Sequence, residues 1–435
     1  MPDIQPYAGS VARSPEYKKL RNYLITSLVN ELGSNPPEAS QYRQVVEDRL
    51  EKLSGRLNLK LSPEIRSQLY EDIMNDLAGY GPIQPLLADP DISEIMVNGP
   101  DLVFIERNGE LIETGIKFDN NEHVLRVINR MIHPLGRRVD AETPMVDARL
   151  PDGSRVNAVI PPVAVDGPTI SIRKFLRNKM TMEQIIALDS ITPHMAEFLQ
   201  ACVAARLNIL ISGGTSSGKT TMLNILSRFI PENERIVTIE DSAELQMKQE
   251  HVVRLETRPP NIEGRGEVTA RDLVRNSLRM RPDRIILGEV RSAEVLDMLQ
   301  AMNTGHDGSL ATVHANSPRD ALMRLETLIA MSGYNFPSGS VRKYISSALN
   351  VILQVSRQVD GSRKVVSFQE ITGMEGEIIT MQEIFFFEQT GLDVKGMVKG
   401  RFRATGIRPK FVERFKAAGV PIPHDLFNSE KVYEI

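Results

Sequence analysis

The sequence predicts an α/β chain: a parallel-sheet domain preceded by a small α+β domain and a helical N-terminal stretch. Three observations carry that expectation. Apolar residues recur every four positions near the start, short alternating strands separated by turn residues follow, and from about Ile191 strand-like runs alternate with helical patterns around a glycine-rich loop. With 435 residues the chain is too long for one ordinary core, and 41% hydrophobic with 25% charged residues is the composition of folded domains with a polar surface. A net charge of −4 excludes a global attraction to nucleic acid or anionic lipid. Cys202 is the single cysteine, which rules out an intrachain disulfide framework. No stretch approaches the roughly eighteen uninterrupted apolar residues of a membrane span, and the first residues lack a basic segment followed by an apolar one. The cytoplasm is the expected compartment, without direct membrane insertion.

Residues 1–78 read as helical. Leu20, Leu24, Leu28 and Leu32 repeat every four, as do Ile65, Leu69, Ile73 and Leu77, and these stripes are expected to pack against one another or the next domain. Ser62-Pro63-Glu64 supplies a helix start. Gly79-Tyr80-Gly81-Pro82 breaks the pattern and opens a small α+β domain, 79–175. Ile92 to Val97 and Leu102 to Arg107 read as strands, and Asn108-Gly109 turns the chain into Glu110 to Thr114. A helix at Val124 to Ile132 precedes a second hairpin, Val146 to Leu150 and Ser154 to Ile160 around Pro151-Asp152-Gly153; Thr169 to Phe175 is a further strand. Residues 176–190 form a linker with a short helix capped by Thr181. In 191–435, strands are expected at Leu207 to Ser212, Arg235 to Ile239, Val252 to Glu256, Arg284 to Leu287 and Leu310 to Val313. Short strands return at Val351 to Val355, Val365 to Ile371 and Ile384 to Glu388, before a helix at Pro409 to Ala418.

Gly213-Gly214-Thr215-Ser216-Ser217-Gly218-Lys219-Thr220 fits the phosphate-loop pattern G-x-x-x-x-G-K-[ST] between a strand and a helical pattern from Thr221 to Phe229. The glycines let backbone N–H groups curl around phosphate oxygens, the helix offers its positive end, Lys219 can reach the β- and γ-phosphates, and Thr220 can hold Mg²⁺. ATP or GTP is the expected ligand, and no Asn-Lys-x-Asp segment is present to read guanine. Ile236-Val237-Thr238-Ile239 runs into Glu240-Asp241-Ser242-Ala243-Glu244, placing carboxylates at a strand's carboxyl end, beside the phosphate loop in this reading. Such groups orient or deprotonate water, or steady Mg²⁺. Ile285 to Val290 is a second strand ending in Gly288-Glu289. His306 and His314 bracket another; eight apart, and with one cysteine in the chain, they make no recognisable metal cluster. His314 is expected to point toward the nucleotide, where it could sense the γ-phosphate.

The phosphate loop, the box Thr238 to Glu244, the Gly-Glu strand followed by Arg291-Ser292 and the His314 segment resemble, in the same order, four motifs of the type II/type IV secretion ATPase superfamily, most closely its CpaF or Tad pilus branch. Pro151 to Pro162 and Ile170 to Phe175 are similar to that branch's N-terminal domain, so the resemblance spans roughly residues 60 to 430. It implies a ring hexamer of RecA-like motor domains bearing smaller N-terminal domains. By matching positions it implies that Gly213 to Thr221 bind ATP, that Glu240 is the water-activating base, and that Glu289 is a second carboxylate near Mg²⁺, either acid acting directly or through water. Arg155 and Arg173 match arginines that look like phosphate-contacting groups. Ser242 stands where many relatives outside the branch have proline, a departure that bears on turn rigidity.

The function expected is ATP hydrolysis driving pilus assembly or export of pilin-like subunits, with inner-membrane platform proteins as partners. A RecA-type nucleic-acid translocase is the enzymatic competitor, but no aromatic-rich basic strand face specifies nucleic acid. A nucleotide-gated scaffold with negligible turnover is the third class, opposed by the presence of Lys219, Glu240 and Glu289.

Overall fold

A computed structural model of the chain describes residues 15–32, 42–57, 61–107, 109–175, 180–260, 264–333, 336–423, 425–430 and 432–434. Two compact units divide the chain, Met1–Arg177 and Asn178–Ile435.

The first unit opens with helices Pro15–Leu32, Tyr42–Arg56 and Pro63–Ala78. Leu24, Leu28, Val46, Leu50, Leu69 and Ile73 bury their side chains in one common core, whereas Ile65, the first residue of the second stripe, is exposed. Ser62 caps the third helix by accepting from Ile65 N–H. Arg21 on the first helix is buried and pairs with Asp76 at 3.1 Å and with Asp119. His123 Nε2 lies 3.2 Å from Asp76. The hydrogen bond from His123, ahead of the Arg21 charge and against the cost of burial, holds the Asp119 carboxyl at a pKa of about 2.

Six strands follow among the described residues: β1 (Ile92–Asn98), β2 (Leu102–Arg107), β3 (Glu110–Glu113), β4 (Met145–Arg149), β5 (Arg155–Val159) and β6 (Thr169–Arg173). They form one antiparallel sheet in the order β3-β2-β1-β6-β5-β4. Helix Asn121–Ile132 packs Val124, Val127, Ile128 and Met131 into the core that also holds Ile95, Val97, Ile170 and Ile172. The Gly79 to Pro82 break leads into a short helix, Gln84–Ala88, that the alternation did not predict. Of the expected Asn108-Gly109 turn, Asn108 lies outside the described residues; Gly109 has φ 83°.

Among its described residues the second unit holds ten strands: β7 (Ile209–Gly213), β8 (Ile236–Glu240), β9 (Val252–Glu256), β10 (Arg284–Val290), β11 (Leu310–His314), β12 (Val351–Arg357), β13 (Arg363–Glu375), β14 (Ile378–Leu392), β15 (Val398–Ala404) and β16 (Val432–Glu434). Their order is β16-β15-β14-β13-β12-β7-β11-β10-β8-β9. Strands β12 through β9 in that order are parallel, and β13 to β16 extend the sheet antiparallel. Period-two alternation sends Ile209 and Ile211 into one core and Leu210 into the other. Helices Pro193–Ala204 and Lys219–Ser227 cover the first face. Helices Glu294–Asn303, Pro318–Met331 and Ser338–Ala348 cover the second. This is an α/β, RecA-like fold, with a smaller α+β part and N-terminal helices in the other unit. Cys202 is buried in the first core, where desolvation pushes its thiol pKa well up. Among the described residues no helix is long and apolar enough to cross a membrane.

Candidate functional site

Strand β7 ends at Gly213, and the loop climbs from it into helix Lys219–Ser227. Two glycines are sterically required. A Cβ at Gly213 would lie 2.5 Å from both Ser217 Oγ and the Val355 carbonyl oxygen, so only glycine lets β12 pass this close. Gly218 has φ 99°, in the left-handed region. No side chain caps the helix at Gly218, which leaves the first-turn amides and the positive helix end directed at the loop. Ser217 Oγ–H donates to the Gly214 carbonyl at 2.9 Å and closes the loop from within. Thr215 and Ser216 are exposed, whereas Thr220 and Thr221 on the first helical turn are half-buried. Lys219 is buried at its base and donates from Nζ to the carbonyls of Gly213 at 3.0 Å and Gly214 at 2.7 Å.

Sheet order decides which other groups reach this loop. Strand β11 lies directly beside β7, with His314 opposite Gly213. His314 Nε2 stands 3.4 Å from Lys219 Nζ and 3.2 Å from Glu289 Oε1. A proton on that nitrogen donates to Glu289; without it the nitrogen accepts from Lys219. Burial and then the Lys219 charge lower the His314 pKa, opposed by Glu289. From Glu289 the chain of charges continues: Arg291 donates to Glu289 Oε2 and to Asp241 Oδ2, each at 2.7 Å. The Glu289 hydrogen bond, despite partial burial, raises the Arg291 pKa. Glu294 fixes this turn by accepting from the N–H groups of Arg291 at 2.6 Å and Ser292 at 2.8 Å.

Glu240 is placed differently. Strand β8 is separated from β7 by β11 and β10, which at about 4.8 Å per strand puts its tip roughly 14 Å from the phosphate-loop strand. Counted across the sheet, Glu240 therefore stands three strands from the loop's own strand, although β8 follows β7 in the chain. Glu240 is buried, and its Oε1 accepts from the backbone N–H groups of Glu244 at 2.9 Å and Leu245 at 3.0 Å. It lies under Gly288, where a Cβ would come within 2.9 Å of Glu240 Cγ.

Arg155 and Arg173 belong to the first unit, as exposed Cα partners on β5 and β6. Arg149 is the next partner on β4 and Glu94 on β1, the latter 3.9 Å from Arg173. Two residues absent from the sequence reading as functional groups stand in the second unit's site. Arg291 had a signal, its spacing of two from Glu289. Arg363 had none: its Nε–H donates to the Ser216 carbonyl across 147 residues of chain.

A family model described as "Type II/IV secretion system protein" matches residues 76–406. A Mycobacterium tuberculosis protein named for conjugal transfer is 38% identical over 312 residues, covering 70% of this chain and 88% of its own. Type IV secretion system protein PtlH of Bordetella pertussis is 36% identical over 314 residues, covering 65% of this chain and 91% of its own. The crystal structure of the VirB11 ATPase from the Brucella suis type IV secretion system, in complex with sulphate, matches at 28% identity and a TM-score of 0.37, covering 66% of this chain and 95% of that one.

Proposed function

The chain belongs to the type II/IV secretion system protein family, whose model it matches over residues 76–406, and from that premise we propose that it is a cytoplasmic ATPase of the CpaF or Tad pilus branch. In this reading a homo-hexamer couples ATP hydrolysis to assembly of a pilus, or export of pilin-like subunits, through inner-membrane platform proteins. The observation that supports it best is the run of ionisable groups Lys219–His314–Glu289–Arg291–Asp241, which links the phosphate loop to the carboxyl ends of β11, β10 and β8. A static anion-binding turn has no need of a carboxylate joined to its lysine through a histidine.

Hydrolysis requires a water to attack the γ-phosphorus while the bond to the bridging oxygen breaks and charge spreads over the phosphoryl oxygens. Loop amides and Lys219 bind and neutralise the β- and γ-phosphates. Glu289, two strands from β7 and joined to Lys219 through His314, is the carboxylate best placed to orient water; Glu240, tied to backbone amides, shapes the floor beneath it. The contacts thus favour exchanging the roles that the family resemblance implied. Mg²⁺ is an ion held chiefly by substrate phosphates and water plus one or two protein oxygens. Thr220 and Glu289, with Glu240 behind, are the oxygens on offer, and the ion when bound neutralises phosphate charge. For Arg155 and Arg173 we retain a phosphate-contacting role. Their Cα positions are partners on β5 and β6, with Arg149 next on β4 and Glu94 on β1, so three basic residues share one row of the sheet, and a phosphate would relieve the like charge among them.

The test compares purified wild type with Lys219→Ala for ATP affinity and Mg²⁺-dependent turnover, and asks in cells whether the same substitution stops pilin subunits from reaching the surface. Equal ATP binding and hydrolysis by both proteins would sink the ATPase reading. Turnover stimulated by DNA, with pilin export untouched, would favour nucleic-acid translocation.

A further inference from the structure

Strand β12 runs parallel to β7 with Val355 opposite Gly213, so Ser356 and Arg357 continue past the end of the phosphate-loop strand. The chain then turns, with Gln358 N–H donating to Ser362 O at 2.7 Å and Gly361 N–H to Gln358 O at 3.0 Å, and returns as β13 at Arg363. This hairpin stands against the loop at three places. The Val355 backbone crowds Gly213, Arg363 Cδ lies 3.3 Å from where a Cβ on Gly218 would be, and Arg363 Nε–H donates to the Ser216 carbonyl at 3.0 Å.

The contact with Ser216 bears on phosphate binding. Ser216 has φ 56°, the left-handed region that L-residues other than glycine rarely occupy. Its side chain is exposed, so packing does not hold it there. A trans peptide is planar, with its C=O and the following N–H pointing in opposite directions. Anchoring the Ser216 oxygen on Arg363 therefore turns the Ser217 N–H away from the hairpin and toward the interior of the loop. We propose that Arg363 is a positioning residue for the nucleotide: it fixes the Ser216–Ser217 peptide so that the Ser217 amide faces the phosphates of a bound nucleoside di- or triphosphate. This rests on the ATPase reading and adds to it a group supplied by the antiparallel half of the sheet.

Side-chain chemistry makes the test sharp. Glutamine carries its amide nitrogen at the position of arginine Nε, so Arg363→Gln keeps the donor and loses the charge. Lysine keeps the charge but has a methylene where Nε was. In the full chain, Arg363→Ala is expected to weaken ATP and ADP binding about tenfold, the scale of one well-placed hydrogen bond. Single-turnover hydrolysis at saturating ATP stays within about twofold, because the residue does not touch the reacting atoms. Arg363→Gln recovers most of the affinity, and Arg363→Lys does not. Arg363 is exposed, so the nucleotide-free melting temperatures of all three variants are expected to match wild type. Wild-type affinity in Arg363→Ala, or rescue by lysine and not glutamine, overturns the proposal while leaving the ATPase reading intact. A wild type that binds ATP no better than Lys219→Ala overturns both.

Discussion

Replacing Glu289 and Glu240 one at a time by glutamine separates the two carboxylates by which observable moves. Glu289 is partly exposed, and its partner Arg291 is about half exposed, so the ion pair is screened and contributes on the order of 0–1 kcal/mol to stability. Glu289→Gln is therefore expected to leave the melting temperature within about 4 °C of wild type. Losing a group that orients and accepts a proton from water lowers single-turnover hydrolysis by about 10²–10⁴-fold, with ATP affinity changed far less. Glu240 gives the opposite pattern. Its buried carboxylate accepts two backbone N–H bonds, and glutamine reduces these from charge-assisted to neutral, a loss of about 1–2 kcal/mol in all. Glu240→Gln should lower the melting temperature by about 2–8 °C while slowing hydrolysis about tenfold or less. The assays are calorimetry and single-turnover hydrolysis of γ-labelled ATP on the same preparations. An inactive Glu240→Gln that melts like wild type, beside a fully active Glu289→Gln, would refute the reasoning from sheet order and return the water-activating role to Glu240.

Further outcomes follow from other contacts. Arg155→Ala and Arg173→Ala should each impair hydrolysis more than initial ATP binding, and lysine should rescue poorly because it lacks the planar fork that bridges two oxygens; a folded, assembled variant with normal turnover would remove the phosphate-contacting role. Gly288→Ala places a Cβ 2.9 Å from Glu240 Cγ, overpacking expected to destabilise by about 1–3 kcal/mol; an unchanged melting temperature would mean that Glu240 moves aside freely. The Asp119 carboxyl is depressed from 3.8 to about 2, so the stability it contributes is present above about pH 4 and lost as pH falls through 2, close to 2 kcal/mol by linkage. His123 has the opposite sign. Burial works against its charge, hydrogen bonds to Asp119 and Asp76 outweigh it, and the raised pKa gives stability present below pH 6.5 and lost as pH rises through the folded value. Calorimetry of Asp119→Asn against wild type between about pH 2 and 5 should show a flatter acid limb, and parallel limbs would contradict the assignment.

Local chemistry made much of the fold legible. Leu102–Arg107 and Val252–Glu256 are strands over the span their alternation predicts. Ser62 and Thr181 cap the helices they precede because a hydroxyl accepts the amide three residues on, whatever the tertiary context. The antiparallel extension was seen only in pieces. Strand β14 spans Ile378–Leu392, against an expected Ile384 to Glu388, because its outer residues mix apolar and polar side chains without a clean alternation and take their structure from pairing with β13 and β15. The helix expected from Pro409 begins at Val412.

The limits at the site have the same origin. The phosphate loop is a property of eight consecutive residues, and a strand before with a helix after suffices to place it. Which carboxylate faces it is a property of strand order, because β11 and β10 insert between β7 and β8, although β8 follows β7 in the chain. Counting along the sequence puts Glu240 nearest; counting across the sheet puts His314 first and Glu289 second. Arg363 is the extreme case. Its role depends on one register, Val355 against Gly213, and on a hairpin short enough to return beside the loop. A shift of one residue in that pairing would send the guanidinium to the opposite face of the sheet. What is chemically specific here beyond the loop itself is therefore written in pairings between strands, which no local pattern encodes.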